Sequence, residues 1–67
     1  MNQLTLTNGL VLPVESILEI DIFESYGKGF RAKIWRTDGY ENTFTEWTLA
    51  DQAEANRLKI KTTMKTT

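Results

Sequence analysis

The chain has 67 residues, eight basic and nine acidic side chains and a formal net charge of −1 at pH 7. That length holds one small domain over 1–67, and the balance of charge supplies no overall field to hold nucleic acid or an anionic membrane. The absence of cysteine and histidine excludes disulfides, thiolate-bound zinc, iron–sulfur clusters, thiol nucleophiles and the commonest general base. Met1–Thr7 has no cationic and apolar leader pattern, and the longest apolar run, Gly9–Val14, is far too short to cross a bilayer. A cytoplasmic protein that does not enter the membrane is expected.

Strands are predicted over about 3–7 and 10–14, joined at Asn8-Gly9, a dipeptide suited to a two-residue type I′ turn. Such a turn sets Leu6 opposite Val11. It places Leu4, Leu6, Val11 and Pro13 on one face and Thr5 with Leu12 on the other. A third strand over about 17–24 alternates Leu18, Ile20 and Ile22 against Glu19, Asp21 and Phe23. Ser25–Gly29 then turns the chain into a fourth strand over about 30–37, in a register that opposes Ile20 to Ile34, Ile22 to Ala32 and Asp21 to Lys33. An odd loop satisfies that register, and its glycines tolerate the left-handed backbone that such a loop requires.

A two-residue turn at Asp38-Gly39 leads into a fifth strand over about 40–47. It pairs Arg36 with Glu41, Ile34 with Thr43, Ala32 with Thr45 and Phe30 with Trp47. The opposite face then brings together Arg31 and Glu46, Lys33 and Phe44, and Trp35 and Asn42. Thr48-Leu49-Ala50-Asp51 resembles a capping box, so a helix is predicted over about 49–62 with Leu49, Ala50, Ala53, Ile60 and Met64 as its apolar stripe. Residues 58–65 also alternate, and a short helix followed by a final strand is the other reading. The uninterrupted helix is preferred because no glycine, proline or turn dipeptide separates Ala53 from Leu58.

The expected fold is mainly β with one C-terminal helix, a β-rich α+β arrangement. It takes the form of a five-stranded antiparallel meander, curled or partly closed like a small SH3-like barrel, with the helix packed on it. The candidate interaction surface is the outward face of the central strands, where Phe23, Trp35 and Phe44 stand among Arg31 and Lys33. The plain alternative is that the helix or the first hairpin covers these aromatics. A second candidate is the basic run Arg57, Lys59, Lys61 and Lys65, whose bland explanation is that cations favour a helix C-terminus.

The acids Glu15, Glu19, Asp21 and Glu24 lack the spacing of a metal loop, and Gly27-Lys28-Gly29 lacks the serine or threonine and the following helix of a phosphate loop. No catalytic, cofactor-binding or metal-binding residue is therefore assigned. The expected function is a non-enzymatic interaction module or regulator acting through protein–protein contacts and forming a homodimer, with itself or another protein as partner. The alternatives are a single-stranded nucleic-acid binder that uses the basic and aromatic face and the basic C-terminus, and a small inhibitor or accessory protein of a mobile element.

Overall fold

The computed structural model describes residues 2–25 and 29–65. It is mainly β with one helix, in two sheets that do not close into a barrel. The strands are β1 (Gln3–Thr5), β2 (Val11–Pro13), β3 (Ile17–Ser25), β4 (Gly29–Arg36), β5 (Glu41–Trp47) and β6 (Thr62–Lys65), and the helix α1 spans Leu49–Arg57. β1 and β2 form a separate hairpin, whereas the larger sheet has the order β5-β4-β3-β6. The single meander is thus corrected to a hairpin plus a four-stranded sheet. Its last strand runs parallel to β3.

Leu4, Leu6 and Leu12 of the hairpin pack with Ile20, Ile22, Ala32, Ile34 and Trp47 of the sheet, and Ala55 and Ile60 complete the core. Leu4, Ile20 and Ile34 are wholly enclosed, and burying each such side chain contributes about 1.5–3 kcal/mol. The hairpin and α1 therefore cover one face of the sheet. The β3–β4 register is the predicted one, with Ile20 opposite Ile34, Asp21 opposite Lys33 and Ile22 opposite Ala32. Ser25 pairs with Gly29, so the loop is odd, and Gly29 takes the expected positive φ, 79°, whereas residues 26–28, with Gly27, lie outside the described residues. Leu18 departs from its predicted core position: a bulge between Ile17 and Glu19 makes it the extra residue, and it is exposed.

The other two hairpins are one residue out of the predicted register, and for one reason. In Leu6–Leu10 the amide of Gly9 donates to the Leu6 carbonyl at 2.9 Å and that of Leu6 to the Leu10 carbonyl at 2.9 Å. In Arg36–Tyr40 the amides of Gly39 and Arg36 make the same two bonds, to the Arg36 and Tyr40 carbonyls. Both are three-residue turns, Thr-Asn-Gly and Thr-Asp-Gly, in which the glycine alone takes positive φ, 96° at Gly9 and 88° at Gly39. The Asx side chain secures each turn by accepting the amide two residues on, Leu10 for Asn8 and Tyr40 for Asp38, both at 3.0 Å.

One extra turn residue flips every side chain of the returning strand. In β2 it buries Leu12 and exposes Val11 and Pro13. In β5 it sets Asn42 opposite Ile34 and Phe44 opposite Ala32, until a bulge at Thr45–Glu46 restores the predicted pairing of Phe30 with Trp47.

The capping box at the start of α1 is present in both halves. Its Asp51 is also the link to the first hairpin. One carboxylate oxygen accepts the Thr7 amide at 2.8 Å, and the other accepts the Thr7 hydroxyl at 3.1 Å and the Thr48 amide and hydroxyl at 3.1 and 3.0 Å. Burial by itself pushes the Asp51 carboxyl up, but the bonds from Thr7 and Thr48 outweigh it and hold the group below the ordinary aspartate range.

The helix stops at Arg57, well short of the predicted position 62. Lys59 takes φ 59°, its amide donates to the Asn56 carbonyl, and the Ile60 amide donates to the Ala55 carbonyl. This is a Schellman motif with lysine where glycine is usual, and it seats Ile60 against Ala55 in the core. The predicted apolar stripe dissolves accordingly. Leu49, Ala50 and Ala53 face solvent, Asp51 and Ala55 face inward, and Met64 belongs to a strand.

Two outcomes test these two ends. Lys59→Gly is expected to raise unfolding stability by about 0.5–1 kcal/mol, read from the denaturant midpoint, because glycine relieves the left-handed strain. Asp51→Ala is expected to lower it by about 2–4 kcal/mol at neutral pH, since four bonds are lost, one of them the carboxylate half of the capping box. A carboxyl held low in the folded state stabilises fully above its unfolded value of about 3.9 and loses that contribution as pH falls through the folded value. The midpoint of the native chain should therefore drop on acidification below about pH 4, and that of the alanine variant should drop less over the same window.

Candidate functional site

The face of the larger sheet turned away from the hairpin and α1 carries alternate residues of four strands. Across β4 and β3 the rows are Arg31–Phe23, Lys33–Asp21 and Trp35–Glu19. β5 adds Thr43 beside Lys33 and Glu41 beside Trp35, and β6 adds Thr63 beside Asp21 and Lys65 beside Phe23. Phe23 and Trp35 are half-buried there and Arg31 is exposed. A shallow depression of about 280 Å³ lies between Phe23, Arg31, Lys33 and Thr43.

Each acidic group on this face has a local partner. The Trp35 indole N–H donates to one Asp21 oxygen at 2.8 Å, and Asp21 is buried although it points away from the core. Its other oxygen has no hydrogen-bond partner. Lys33 does not pair with Asp21 across the ladder. Its ammonium lies 5.1 Å from the centre of the Trp35 ring and 3.8 Å from Glu41, a cation–π contact combined with a half-exposed ion pair. Lys61 reaches Glu19 at 3.7 Å. Among the described residues, Arg31 and Lys65, on either side of Phe23, have no ion-pair partner.

Of the five residues predicted to share this surface, Phe23, Arg31, Lys33 and Trp35 do share it. Phe44 does not. The longer turn at Thr37–Gly39 rotates it to the inner face, where it packs against the core with its ring centre 6.5 Å from that of Trp47. The same shift removes the predicted pairing of Arg31 with Glu46, which sits in the β5 bulge.

The basic run divides between two places. Arg57 is bonded to Glu54 at 2.7 Å, which raises the guanidinium and lowers the carboxyl, and Lys59 follows it at the end of the helix. Lys61 and Lys65 belong to the open sheet face, which the preferred uninterrupted helix did not allow. The strand-like alternation of residues 58–65 was the signal for that placement.

A second opening lies on the inner side, about 150 Å³ lined by Ile22, Phe30, Trp47, Leu49 and Met64. Leu49 is 80% exposed and Met64 59% exposed at its rim. These two were predicted as helix core and were missed as surface. Among the described residues no His, Cys, Asp or Glu side chains gather in a group of three able to hold a metal, and no helix is long and apolar enough to cross a membrane. Comparison with protein-family models, curated proteins and solved structures gave no match.

The Trp35–Asp21 bond is the structural support of the open face. Trp35→Phe is expected to cost about 1–3 kcal/mol of stability, because both carboxylate oxygens are then left without a donor. Adding Asp21→Leu to that variant should recover most of the loss in chemical denaturation, since no buried charge remains to be satisfied.

Proposed function

We propose that the protein is a non-enzymatic interaction module of the cytoplasm that docks a protein partner on the open face of its four-stranded sheet. One observation carries this reading: Phe23 and Trp35 stand half-exposed on a face that neither the hairpin nor the helix covers, beside an arginine that has no ion pair among the described residues. Aromatic and arginine side chains dominate the energetics of protein interfaces, because they bury large areas at a small loss of rotamer freedom. The surrounding charges are paired locally, so they set register and exclude wrong partners more than they add affinity. The lack of cysteine is consistent with a reducing compartment.

A second reading draws on the row Arg31–Phe23–Lys65. Two cations flanking an aromatic ring can hold phosphates while a base stacks on the ring, so single-stranded nucleic acid is the competing ligand. Glu19 and Glu41 at the other end of the face oppose a phosphate track, which places this reading second.

Partner capture by the immobilised protein from extracts of its own source separates the two. Arg31→Glu is expected to lose capture while its thermal unfolding stays unchanged, and capture retained by this variant overturns the docking face. Anisotropy of a labelled oligonucleotide is expected to stay flat at low salt. Binding that rises there and falls steeply with added salt would replace the protein reading by the nucleic-acid one.

A further inference from the structure

Opposite residues of β3 and β4 are chemically unlike along the whole open face: aromatic opposite cation, acid opposite cation, acid opposite aromatic. The outer strands continue the pattern in the last row, with Glu41 at one edge and Lys61, 3.7 Å from Glu19, at the other. Consider a two-fold axis lying on this face, parallel to the strands and midway between β3 and β4. It lays β3 of one copy over β4 of the next and β5 over β6. The cation and the ring of the row Arg31–Phe23 then meet again between copies, and the exposed Glu41 of one copy lies over the exposed Lys61 of the other. An axis perpendicular to the strands has the opposite effect, because it lays β6 on β6 and turns Lys61 toward Lys65.

We propose that the partner docked on the open face is a second copy of this chain, related by the axis parallel to β3 and β4. The inference rests on the docking role proposed above and names its occupant. Each row crosses the axis once, so the same patch serves both copies, as a closed isologous dimer requires. With strands about 4.8 Å apart and same-face residues about 6.7 Å apart along them, four strands and three rows offer on the order of 400 Å² per copy. That is at the low end for specific association, so the dimer is weak and dissociates on dilution.

Glu41 and Lys61 give the test. Their side chains are 46% and 73% exposed, and they stand on opposite edges of the sheet, roughly 14 Å apart across three strand spacings. They do not touch within one copy, yet they face one another between copies. Dimer dissociation is followed by light scattering on a dilution series for the native chain, Glu41→Lys, Lys61→Glu and the double variant, with a cooperative thermal transition at a dilution where each is monomeric as the check on folding. Each single reversal also removes one pair within the chain, and the double variant removes both, so that loss cancels in the cycle.

Each reversal is expected to raise the dissociation constant about tenfold, and the double variant should return to within about threefold of the native value. A double variant as weak as the product of the two singles overturns the orientation and with it the inference. A native chain that stays monomeric at every concentration overturns the second copy as partner. In that case the Arg31→Glu capture experiment still decides the docking role separately, and capture by the monomer assigns the face to a different protein.

Discussion

The carboxylate of Asp51 holds the two parts of the molecule together. The first hairpin shares no backbone ladder with the larger sheet, and three-residue strands cannot stand alone in water. Asp51 takes both donors of Thr7 from the tip of that hairpin and both donors of Thr48 from the start of α1. The hairpin and the helix are thereby fixed side by side, so that Leu4, Leu6 and Leu12 on one and Ala55 on the other close over Ile20, Ile22 and Ile34. A single buried charge with four donors is a high-stakes arrangement. It is stable when satisfied and costly when any partner is removed.

With the cover committed to one face, what the other face displays depends on register, and register depends on two turns of the same chemistry. Thr7-Asn8-Gly9 and Thr37-Asp38-Gly39 each use the Asx side chain to hold the middle residue by bonding the amide two positions on, and only the glycine becomes left-handed. A type I′ turn needs both Asx and Gly left-handed. Reading Asx-Gly as a two-residue loop therefore misplaced Leu12 and Phe44, and the threonine before each dipeptide was the overlooked common feature. The β3–β4 register was legible because alternation on both strands admits one alignment that buries Ile20, Ile22, Ala32 and Ile34 together. Bulges left no such trace, so Leu18 and the Thr45–Glu46 step were invisible to pattern.

The C-terminal third shows a different limit. The N-terminus of α1 was legible because threonine and aspartate at the right spacing satisfy backbone donors directly. Its C-terminus was not, because the left-handed residue that ends it is Lys59 and not glycine. Burial of Ile60 against Ala55 offsets the strain at lysine, a tertiary contact that no local signal carries. The consequence for the site is large. Ending the helix there brings Lys61, Thr63 and Lys65 alongside β3, and it converts a basic tail into part of the open face.

An uncovered sheet face and two uncovered edges invite promiscuous association, and the structure restrains these routes unequally. The β5 edge is interrupted by the bulge at Thr45–Glu46, and the β6 edge is four residues long, with Lys65 at its end and Lys61 just before its start, both features that oppose strand addition. On the face, Glu19, Asp21 and Glu41 are each held by a neighbour, and an incoming surface does not have to neutralise bare acids there. What is left for a partner to engage is Phe23, the exposed part of Trp35, Arg31 and Lys65. Arg31, Phe23 and Lys65 form one row at one end of the face, and Trp35 stands on β4 at the other end. Association through this surface is therefore governed less by apolar area than by orientation, and a partner that reverses the pattern about the β3–β4 line meets it with the fewest unpaired charges.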